Sequence, residues 1–293
     1  MVPDPGGPPW TVDAALQAAR GLGVDRLDAQ VLLARLLDRP RSWLIAHGDA
    51  PLEAHVAAQL GPWLERRAEG VPLAYLLGEK EFHGLLLKVS PDVLVPRPDT
   101  ETLVDWALEL LQPPGLPASA RVLDLGTGSG AIALALKHAR PRADVTALDA
   151  SPEALAVAQE NARRLGLDVH LLVSRWWRAL PGQRFHLAVS NPPYIAGDDG
   201  HLPALRHEPR LALTPEGDGL DAFRDIIAGS TGHLFPGGWL LLEHGHDQAG
   251  AVAALLGQHG FSSITTRHDL AGNTRCTGGR IEAERAAAPL PPP

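Results

Sequence analysis

Residues 121–138 read Arg-Val-Leu-Asp-Leu-Gly-Thr-Gly-Ser-Gly-Ala-Ile-Ala-Leu-Ala-Leu-Lys-His, and this stretch decides the fold. Its first five residues predict a buried strand, the glycine-rich run predicts a tight loop, and residues 131–138 predict a helix. A strand, a glycine loop and a helix N-terminus together form a cradle for nucleotide-type ligands. The sequence therefore predicts a cofactor-binding loop made of Gly126, Thr127, Gly128, Ser129 and Gly130.

Two acidic residues flank this loop and narrow the choice of ligand. Asp149 ends the strand-like run 145–148, where an acid would bind the hydroxyls of a ribose. Asp124 places a carboxylate just before the loop, with only Leu125 between them. That charge would repel a pyrophosphate but suits a ligand that carries an ammonium and a sulfonium. The loop alone is compatible with NAD or with S-adenosylmethionine, and Asp124 favours the second.

A second motif, Asn191, Pro192, Pro193 and Tyr194, follows the apolar run 185–190. The two prolines restrict the backbone and lack an N–H, so the free polar groups are carbonyl oxygens and the Asn191 side-chain oxygen. Acceptors that converge on one point would orient a planar NH2 group, and Tyr194 would stack on it. The motif predicts a substrate pocket for an amide or an exocyclic amine.

Together the two motifs predict methyl transfer from S-adenosylmethionine to such a nitrogen, with S-adenosylhomocysteine as the product. An amide nitrogen is a poor nucleophile because its lone pair is delocalised. Hydrogen bonds to both of its protons that strengthen as the nitrogen pyramidalises favour the transition state, and no strong base is required.

Four further segments carry a family resemblance: Arg-Leu-Asp-Ala at 26–29, Tyr-Leu-Leu-Gly-Glu-Lys-Glu-Phe at 75–82, Val-Pro-Arg-Pro-Asp-Thr-Glu at 95–101 and Gly-Asn-Thr-Arg at 272–275. With the two motifs above, the chain resembles, over nearly its whole length, the bacterial N5-glutamine methyltransferases that modify peptide chain release factors. The segment 96–101 resembles this branch more than the sister enzymes that act on a ribosomal protein.

The resemblance implies a class I S-adenosylmethionine-dependent methyltransferase fold of the α/β class, Rossmann-like, with a mostly parallel seven-stranded sheet and a small N-terminal helical domain. It implies that Asn191, Pro192 and Tyr194 are catalytic, that Pro193 completes the substrate pocket and that Asn191 also borders the cofactor. Trp176 is implied to pack on the adenine ring. The implied substrate is the glutamine of the Gly-Gly-Gln sequence in class I release factors.

One departure from the family pattern lies after the third strand of the nucleotide fold. The family has Ser-Asp-Trp there, whereas this chain has Ser174, Arg175 and Trp176. The missing acid lies, by resemblance, near the adenine amino group. Asp99 in place of the more usual Glu keeps the carboxylate on a shorter stem.

Periodicity predicts the domain organisation. Apolar residues at helical spacing over 12–19, 27–37 and 53–68 predict a helical substrate-recognition domain at 1–81. Residues 85–89 and 93–95 are expected to form the two strands of a hairpin linker at 82–97. Alternating helices and strands, among them a helix over 152–165 with Ser151 as its N-cap and a strand over 239–243, predict the methyltransferase domain at 98–285. Residues 286–293 are expected to be a disordered tail. The long segment 195–220 is expected to act as a substrate lid.

Composition excludes several classes of protein. The single cysteine, Cys276, excludes an internal disulfide and suits a reducing cytosol. The N-terminus does not read as a signal peptide, and no stretch approaches the ~18 apolar residues of a membrane span, so we expect a cytoplasmic protein without a membrane partner. The net charge of −8 argues against direct nucleic-acid binding.

A run of metal-ligand types, Glu-His-Gly-His-Asp at 243–247, is interpreted as a strand end and a turn, and no metal is expected because methyl transfer needs no Lewis acid. Three alternatives stay open from the sequence. They are a glutamine methyltransferase acting on a ribosomal protein, an adenine or guanine amino-methyltransferase, and a non-catalytic relative that binds S-adenosylmethionine or a partner.

Overall fold

The computed structural model describes residues 10–112 and 114–282. These residues divide into two compact units, with the boundary between Glu79 and Lys80. The predicted disordered tail at 286–293 lies outside the described residues. The domain boundaries drawn from the sequence, after residues 81, 97 and 285, remain predictions.

The first unit is helical. Its helices are α1 (Val12–Gly21), α2 (Arg26–Leu37), α3 (Arg41–Ala46), α4 (Ala54–Ala68) and α5 (Leu73–Leu77). The predictions for α1, α2 and α4 are confirmed, whereas α3 and α5 were not predicted because one or two turns carry too little periodicity. The Thr11 hydroxyl caps α1, and the Asp25 carboxylate caps α2. Fully buried leucines from α2 and α4 form the core of this unit.

A two-stranded hairpin follows; the strand predicted at 85–89 is confirmed as β2, but the partner strand predicted at 93–95 is wrong. The paired strands are β1 (Glu79–Phe82) and β2 (Leu85–Lys88), and residues 93–95 do not belong to a strand. His83 and Gly84 join the strands with φ values of 48° and 78°. Two central residues with positive φ match the twist of a hairpin, so the turn lies here rather than at 90–92. The alternation at 93–95 reflects burial of Val93 and Val95.

The second unit contains the predicted seven-stranded sheet. Its strands are β3 (Arg121–Leu125), β4 (Asp144–Asp149), β5 (His170–Val173), β6 (Phe185–Ser190), β7 (Leu234–Glu243), β8 (Phe261–His268) and β9 (Thr274–Ile281), in the order β5-β4-β3-β6-β7-β9-β8. The first five strands pair in parallel, and β9 pairs antiparallel with both β7 and β8. The sheet is therefore mostly parallel, as predicted.

The helices of this unit are α6 (Glu101–Leu110), α7 (Ala131–Ala139), α8 (Pro152–Leu165), α9 (Arg210–Leu213), α10 (Asp221–Ser230) and α11 (Ala249–Gln258). Predicted helix α8 is confirmed, with the Ser151 hydroxyl accepting from the Ala154 N–H at 3.0 Å as its N-cap. Helix α10 was not predicted, and β7 begins five residues before the predicted start at Trp239. Pro236 and the glycines that follow it obscured the strand pattern there.

The order of the strands fixes where a ligand can bind. From β3 the chain moves outward through β4 and β5, and it then returns to place β6 on the other side of β3. The connection that follows β3 therefore runs toward one edge of the sheet, and the connection that follows β6 runs toward the other edge. The crevice beyond the carboxyl ends of strands at such a reversal is the usual ligand site of open α/β sheets.

The segment 195–220 is less irregular than its length suggested. It contains a short 3-10 helix, Leu202–Leu205, and the helix α9. The Ile195 N–H donates to the Leu213 carbonyl, and the Gly197 N–H donates to the Gly217 carbonyl, each at 3.0 Å. Its predicted role as a lid remains a prediction. None of the helices within 10–112 and 114–282 combines the length and apolar character that crossing a bilayer needs.

Candidate active site

The glycine-rich loop lies between the ends of β3 and β4 and is held by both. The Gly126 and Thr127 N–H groups both donate to the Leu148 carbonyl at 2.9 Å. The Gly128 N–H donates to Asp149 Oδ2, also at 2.9 Å. The predicted loop and the predicted ribose-binding acid are therefore adjacent, as the strand order requires.

Asp124 is the penultimate residue of β3 and is fully buried. Its Oδ2 accepts from the Thr127 hydroxyl at 2.6 Å and from the Ala133 N–H at 3.2 Å. Its Oδ1 has no hydrogen-bond partner among the described residues. Burial, reinforced by the charge of Asp149, raises the pKa of Asp124 to about 7. A buried carboxylate oxygen without a donor is suited to a cation, so this end of the loop fits the ammonium of S-adenosylmethionine.

Asp149 is partly buried, and burial raises the pKa of its carboxyl group. Its oxygens accept backbone hydrogen bonds, Oδ1 from Ser151 and Oδ2 from Gly128, both at 2.9 Å. A carboxylate has about four acceptor positions, so it keeps acceptor capacity for the hydroxyls of a ribose. The Asp149 carboxylate thus holds the loop through its hydrogen bonds, and its remaining lone pairs are free for the ribose that the sequence predicts it to bind.

Trp176 lies after β5 and covers the loop. A Cβ placed on Gly126 would lie 3.6 Å from the Trp176 ring, so the indole and the loop backbone are close neighbours. Trp176 has a φ of 50°, in the left-handed region that costs a non-glycine residue ~1–2 kcal/mol. Its buried Nε1 has no hydrogen-bond partner in the part of the chain that the structure describes. Strain and an unused donor at one residue are typical of a ligand site.

Arg175, the departure from the family pattern, turns to a neighbouring helix. Its Nη2 lies 3.4 Å from Asp225 Oδ2 on α10, and both side chains are exposed. An ion pair this exposed contributes little stability. The Arg175 guanidinium is therefore held at α10 by a weak contact only. Arg175 directly precedes Trp176 in the sequence.

The Asn-Pro-Pro-Tyr motif leaves the sheet at the end of β6, beside the end of β3. The Ser190 hydroxyl donates to the Leu125 carbonyl at 2.6 Å, which ties the two strand ends together. Asn191 Nδ2 donates to the Thr100 hydroxyl oxygen at 3.2 Å. Thus the predicted acceptor pocket and the predicted cofactor loop lie on either side of the same reversal in strand order.

Tyr194 is fixed from two directions. Gln248 Nε2 donates to the Tyr194 carbonyl at 3.0 Å. Gly219 packs so closely that a Cβ there would lie 2.4 Å from the same carbonyl oxygen, so only glycine fits. Burial, followed by the nearby charge of Glu243, raises the pKa of the Tyr194 phenol, which stays protonated at neutral pH.

Sequence reasoning missed several buried polar residues that support the site. Asn161 on α8 is 1% exposed and links the hairpin to the loop. Its Nδ2 donates to the Lys88 and Ser129 carbonyls at 2.9 Å, and its Oδ1 accepts from the Lys88 N–H at 2.7 Å. An asparagine on the apolar face of a predicted helix was the available signal.

Two ion pairs brace the segment 95–101 that carries part of the resemblance. Glu208 pairs with Arg97 and also accepts from the Val95 N–H at 3.1 Å. Arg275 pairs with Asp99 at 3.1 Å, and it pairs at the same distance with Asp269. Glu208 and Asp269 are nearly fully buried, so these contacts fix the chain around the site.

The run 243–247 behaves as a strand end. His244 is buried, with Nδ1 2.7 Å from the Gly245 carbonyl oxygen and Nε2 2.7 Å from the Thr277 hydroxyl. Both ring nitrogens therefore have protein partners, and burial lowers the pKa of His244. Among residues 10–112 and 114–282, no three His, Cys, Asp or Glu side chains group in a way that could hold a metal ion.

Comparison with known proteins gives two family matches. The family described as "PrmC N-terminal domain" matches residues 13–78, and the family described as "Methyltransferase small domain" matches residues 101–220.

Two curated relatives are similar over most of their length. A release factor glutamine methyltransferase of Bordetella pertussis is 52% identical, over 88% of this chain and 96% of the relative. One of Burkholderia pseudomallei is 50% identical, over 91% and 96%. Among solved structures, the 16S rRNA N2 G1207 methyltransferase RsmC of Thermus thermophilus superposes with a TM-score of 0.54 at 21% identity. The superposition covers 70% of this chain and 50% of the RsmC chain, and this likeness concerns the fold alone.

Proposed function

Because the chain belongs to the release factor glutamine methyltransferase family, we propose that it transfers a methyl group to a glutamine side chain of a release factor. The enzyme uses S-adenosylmethionine, and S-adenosylhomocysteine is the product. The observation that carries the proposal is the placement of a glycine-rich loop and an Asn-Pro-Pro-Tyr motif on adjacent strand ends, linked by the Ser190 hydrogen bond to Leu125.

On the cofactor side, we assign Asp124 Oδ1 to the ammonium group and Asp149 to the ribose hydroxyls. The loop Gly126, Thr127, Gly128, Ser129 and Gly130 borders the methionine part. S-adenosylmethionine supplies an activated methyl group there. The unpartnered Oδ1 supports this assignment because an ammonium would satisfy it. The close approach of Trp176 to Gly126 supports an adenine position on the indole.

On the acceptor side, we assign the glutamine amide to the pocket formed by Asn191, Pro192, Pro193 and Tyr194. Asn191 Nδ2 is used by Thr100, which leaves Oδ1 as an acceptor for the substrate NH2. Pro192 and Pro193 lack an N–H, so their backbone presents carbonyl oxygens. Two acceptors on the two N–H bonds favour the pyramidal nitrogen of the transition state over the planar ground state.

The finer identity of the target is also proposed. We assign it as the glutamine of the Gly-Gly-Gln sequence in class I release factors, with the helical unit before Lys80 recognising the folded substrate. A net charge of −8 suits a protein partner better than a nucleic-acid backbone. We also propose a cytoplasmic location, which agrees with a single, buried cysteine.

The direct test is incubation of the purified protein with S-adenosylmethionine and purified release factor, followed by peptide mass analysis. The expected result is a gain of one methyl group on the Gly-Gly-Gln peptide. Replacing that glutamine by alanine in the release factor should abolish the gain. A parallel incubation with ribosomal proteins distinguishes the sister activity. Cofactor binding by calorimetry without methylation of any of these proteins would identify a non-catalytic relative.

A further inference from the structure

A buried carboxyl group that sequence reasoning did not use lies beside the acceptor pocket. Glu243 ends β7, and its side chain is almost completely buried, with 1% of the residue exposed. Strands β6 and β7 are parallel with Ser190 opposite Leu242, so Asn191 and Glu243 leave the sheet side by side. A carboxyl group in such a place is costly unless it is hydrogen-bonded or has a function.

Thr100 connects the two residues. Its hydroxyl oxygen accepts from Asn191 Nδ2 at 3.2 Å, and the residue is 4% exposed. A hydroxyl that accepts one hydrogen bond still has its own proton to donate. Hydrogen bonds from Thr100 and Asn191 stabilise the ionised Glu243 and oppose the rise in its pKa. Thr100 and Asn191 both donate to Glu243, and Asn191 also donates to Thr100, so the three side chains form a small hydrogen-bonded network around the carboxylate.

The direction of these hydrogen bonds decides which atom Asn191 offers to a substrate. An ionised Glu243 can only accept, so Thr100 must donate to it and must accept from Asn191 Nδ2. Asn191 Oδ1 then remains for the substrate amide. If Glu243 carried a proton, it could donate to Thr100, and Thr100 could donate to Asn191 Oδ1. Asn191 would then direct its NH2 at the NH2 of the substrate.

We propose that Glu243 is a positioning residue that, directly and through Thr100, holds the Asn191 amide with Oδ1 toward the acceptor nitrogen. The proposal rests on the proposed function, since it specifies how the glutamine pocket is kept in its accepting state. Orientation of an amide by a second polar residue is a common means of preorganising a site.

Four other titratable groups surround the Glu243 carboxyl. Arg275 on β9 favours its ionised form, and Asp99, which pairs with Arg275 at 3.1 Å, disfavours it. Tyr194 and Cys276 also lie near this charge, and both have raised pKa values and are neutral at physiological pH. Burial outweighs the favourable contacts and raises the pKa of Glu243 to about 7.

The test is Glu243→Gln, because an uncharged amide of the same shape can donate to Thr100 as a protonated carboxyl would. With intact release factor and saturating S-adenosylmethionine, we expect kcat at pH 8 to fall at least about tenfold, since a misdirected acceptor group typically costs ~10²–10³ in rate. Cofactor affinity by calorimetry should change less than about twofold. Wild-type kcat should fall about tenfold from pH 8 to pH 6, and this acid limb should be absent in the variant.

Matched variants separate positioning from general damage. Thr100→Ser keeps the hydroxyl and should retain most activity, whereas Thr100→Val removes one of the two links and should lower kcat in the same direction as Glu243→Gln. Glu109→Gln removes an exposed carboxylate that pairs with Arg267 at 2.8 Å, and it should leave kcat unchanged. A Glu243→Gln enzyme with wild-type kcat and an unchanged acid limb would overturn the proposal.

A second measurement is independent of turnover. The side-chain amide protons of Asn191, followed by NMR, should shift with a midpoint near pH 7 in the wild type and should not shift in Glu243→Gln. If the wild type methylates none of the tested proteins, the proposed function fails while this titration still decides the orientation. Identical amide spectra for both proteins across the pH range would refute the role of Glu243.

Discussion

Asp124 and Glu243 are two buried carboxyl groups at the same edge of the sheet, one at the end of β3 and one at the end of β7. Both have a pKa raised to about 7 by burial, and each has one oxygen without a partner among the described residues. Their surroundings differ. Asp124 takes its hydrogen bonds from residues three and nine positions along the chain, whereas Thr100 and Asn191, which serve Glu243, come from two distant segments.

This difference separates a local site from an assembled one. One strand, loop and helix create the surroundings of Asp124, and they present a carboxylate to a cationic ligand. The surroundings of Glu243 exist only after β6 and β7 have paired and the segment before α6 has packed against them. Burial of a charge is the same physical cost in both places, but at Asp124 a ligand can offset it, and at Glu243 the protein itself orients a neighbour.

The largest effect is expected for Asn191→Ala, which changes the acceptor pocket and leaves the cofactor site intact. Asn191→Ala removes the oxygen that orients the substrate amide, so methylation of release factor should slow by about 10²–10³-fold. S-adenosylmethionine affinity should stay within about tenfold, because the loop and Asp124 are untouched. Peptide mass analysis gives the rate, and calorimetry gives the affinity. Undiminished methylation by this variant would show that the amide binds elsewhere.

The next prediction tests whether the two carboxyl groups are energetically alike. Each carboxyl group has a higher pKa in the folded protein than in the unfolded chain. Between these two pKa values the group is protonated in the folded protein and ionised in the unfolded chain. The stability that each contributes is present at low pH and is lost as the pH rises from about 4 to about 7. Asp124→Asn and Glu243→Gln, which mimic the protonated forms, should each flatten this decline, by roughly 3–4 kcal/mol.

Urea unfolding of the free enzyme between pH 4 and pH 8 measures this effect. The flattening should be comparable in the two single variants and additive in the double variant, because the two sites share no partner. Glu109→Gln provides the control of an exposed carboxylate. A pH dependence of stability that both single variants leave unchanged would show that neither group is protonated in the fold at pH 6.

The same comparison explains how far the sequence was informative. Hydrophobic periodicity and glycine placement predicted β3, α7, β4, α8 and β6, and these elements carry Asp124, the loop and Asn191. Residues whose chemistry depends on neighbours in the chain were therefore predictable. Their assigned roles remain predictions, which the variants above test.

Features that depend on contacts between distant segments were not predictable. The sequence gives no register for β6 against β7, so nothing indicated that Glu243 would lie beside Asn191. The hairpin was misplaced because a His-Gly turn lacks the usual Asn-Gly or Asp-Gly signal. Asn161 was overlooked because its partners, Lys88 and Ser129, belong to other elements.

A third prediction uses pH to distinguish the two carboxyl groups by function. Asp124 must lose its proton to pair with the ammonium of S-adenosylmethionine, so cofactor affinity should fall as the pH drops below about 7. From pH 7.5 to pH 5.5 the expected loss is about 20–30-fold, which follows from one proton taken up with a pKa of about 7. Asp124→Asn should bind more weakly at pH 7.5 and should lose the pH dependence.

Calorimetric titration of S-adenosylmethionine into each variant makes the distinction. Glu243→Gln should keep the wild-type pH dependence of cofactor affinity, because its carboxyl group acts on the acceptor side. An affinity that responds to pH through Glu243 and not through Asp124 would reverse the two assignments.

The smallest expected effect concerns the cofactor side alone, at Arg175. A guanidinium is only a donor and cannot accept from an adenine amino group, and here it pairs with the exposed Asp225 at 3.4 Å. Arg175→Asp supplies an acceptor at the position where the family has one, so S-adenosylmethionine affinity should rise about 2–5-fold. Arg175→Ala is the matched control, since it removes the cation without adding an acceptor, and it should bind S-adenosylmethionine like the wild type.

Loss of the exposed ion pair between Arg175 and Asp225 should change the free energy of unfolding by less than about 1 kcal/mol. A marked loss of affinity in both variants would mean that Arg175 itself contacts the cofactor, and the cofactor side would then depend on a cation as well as on Asp124.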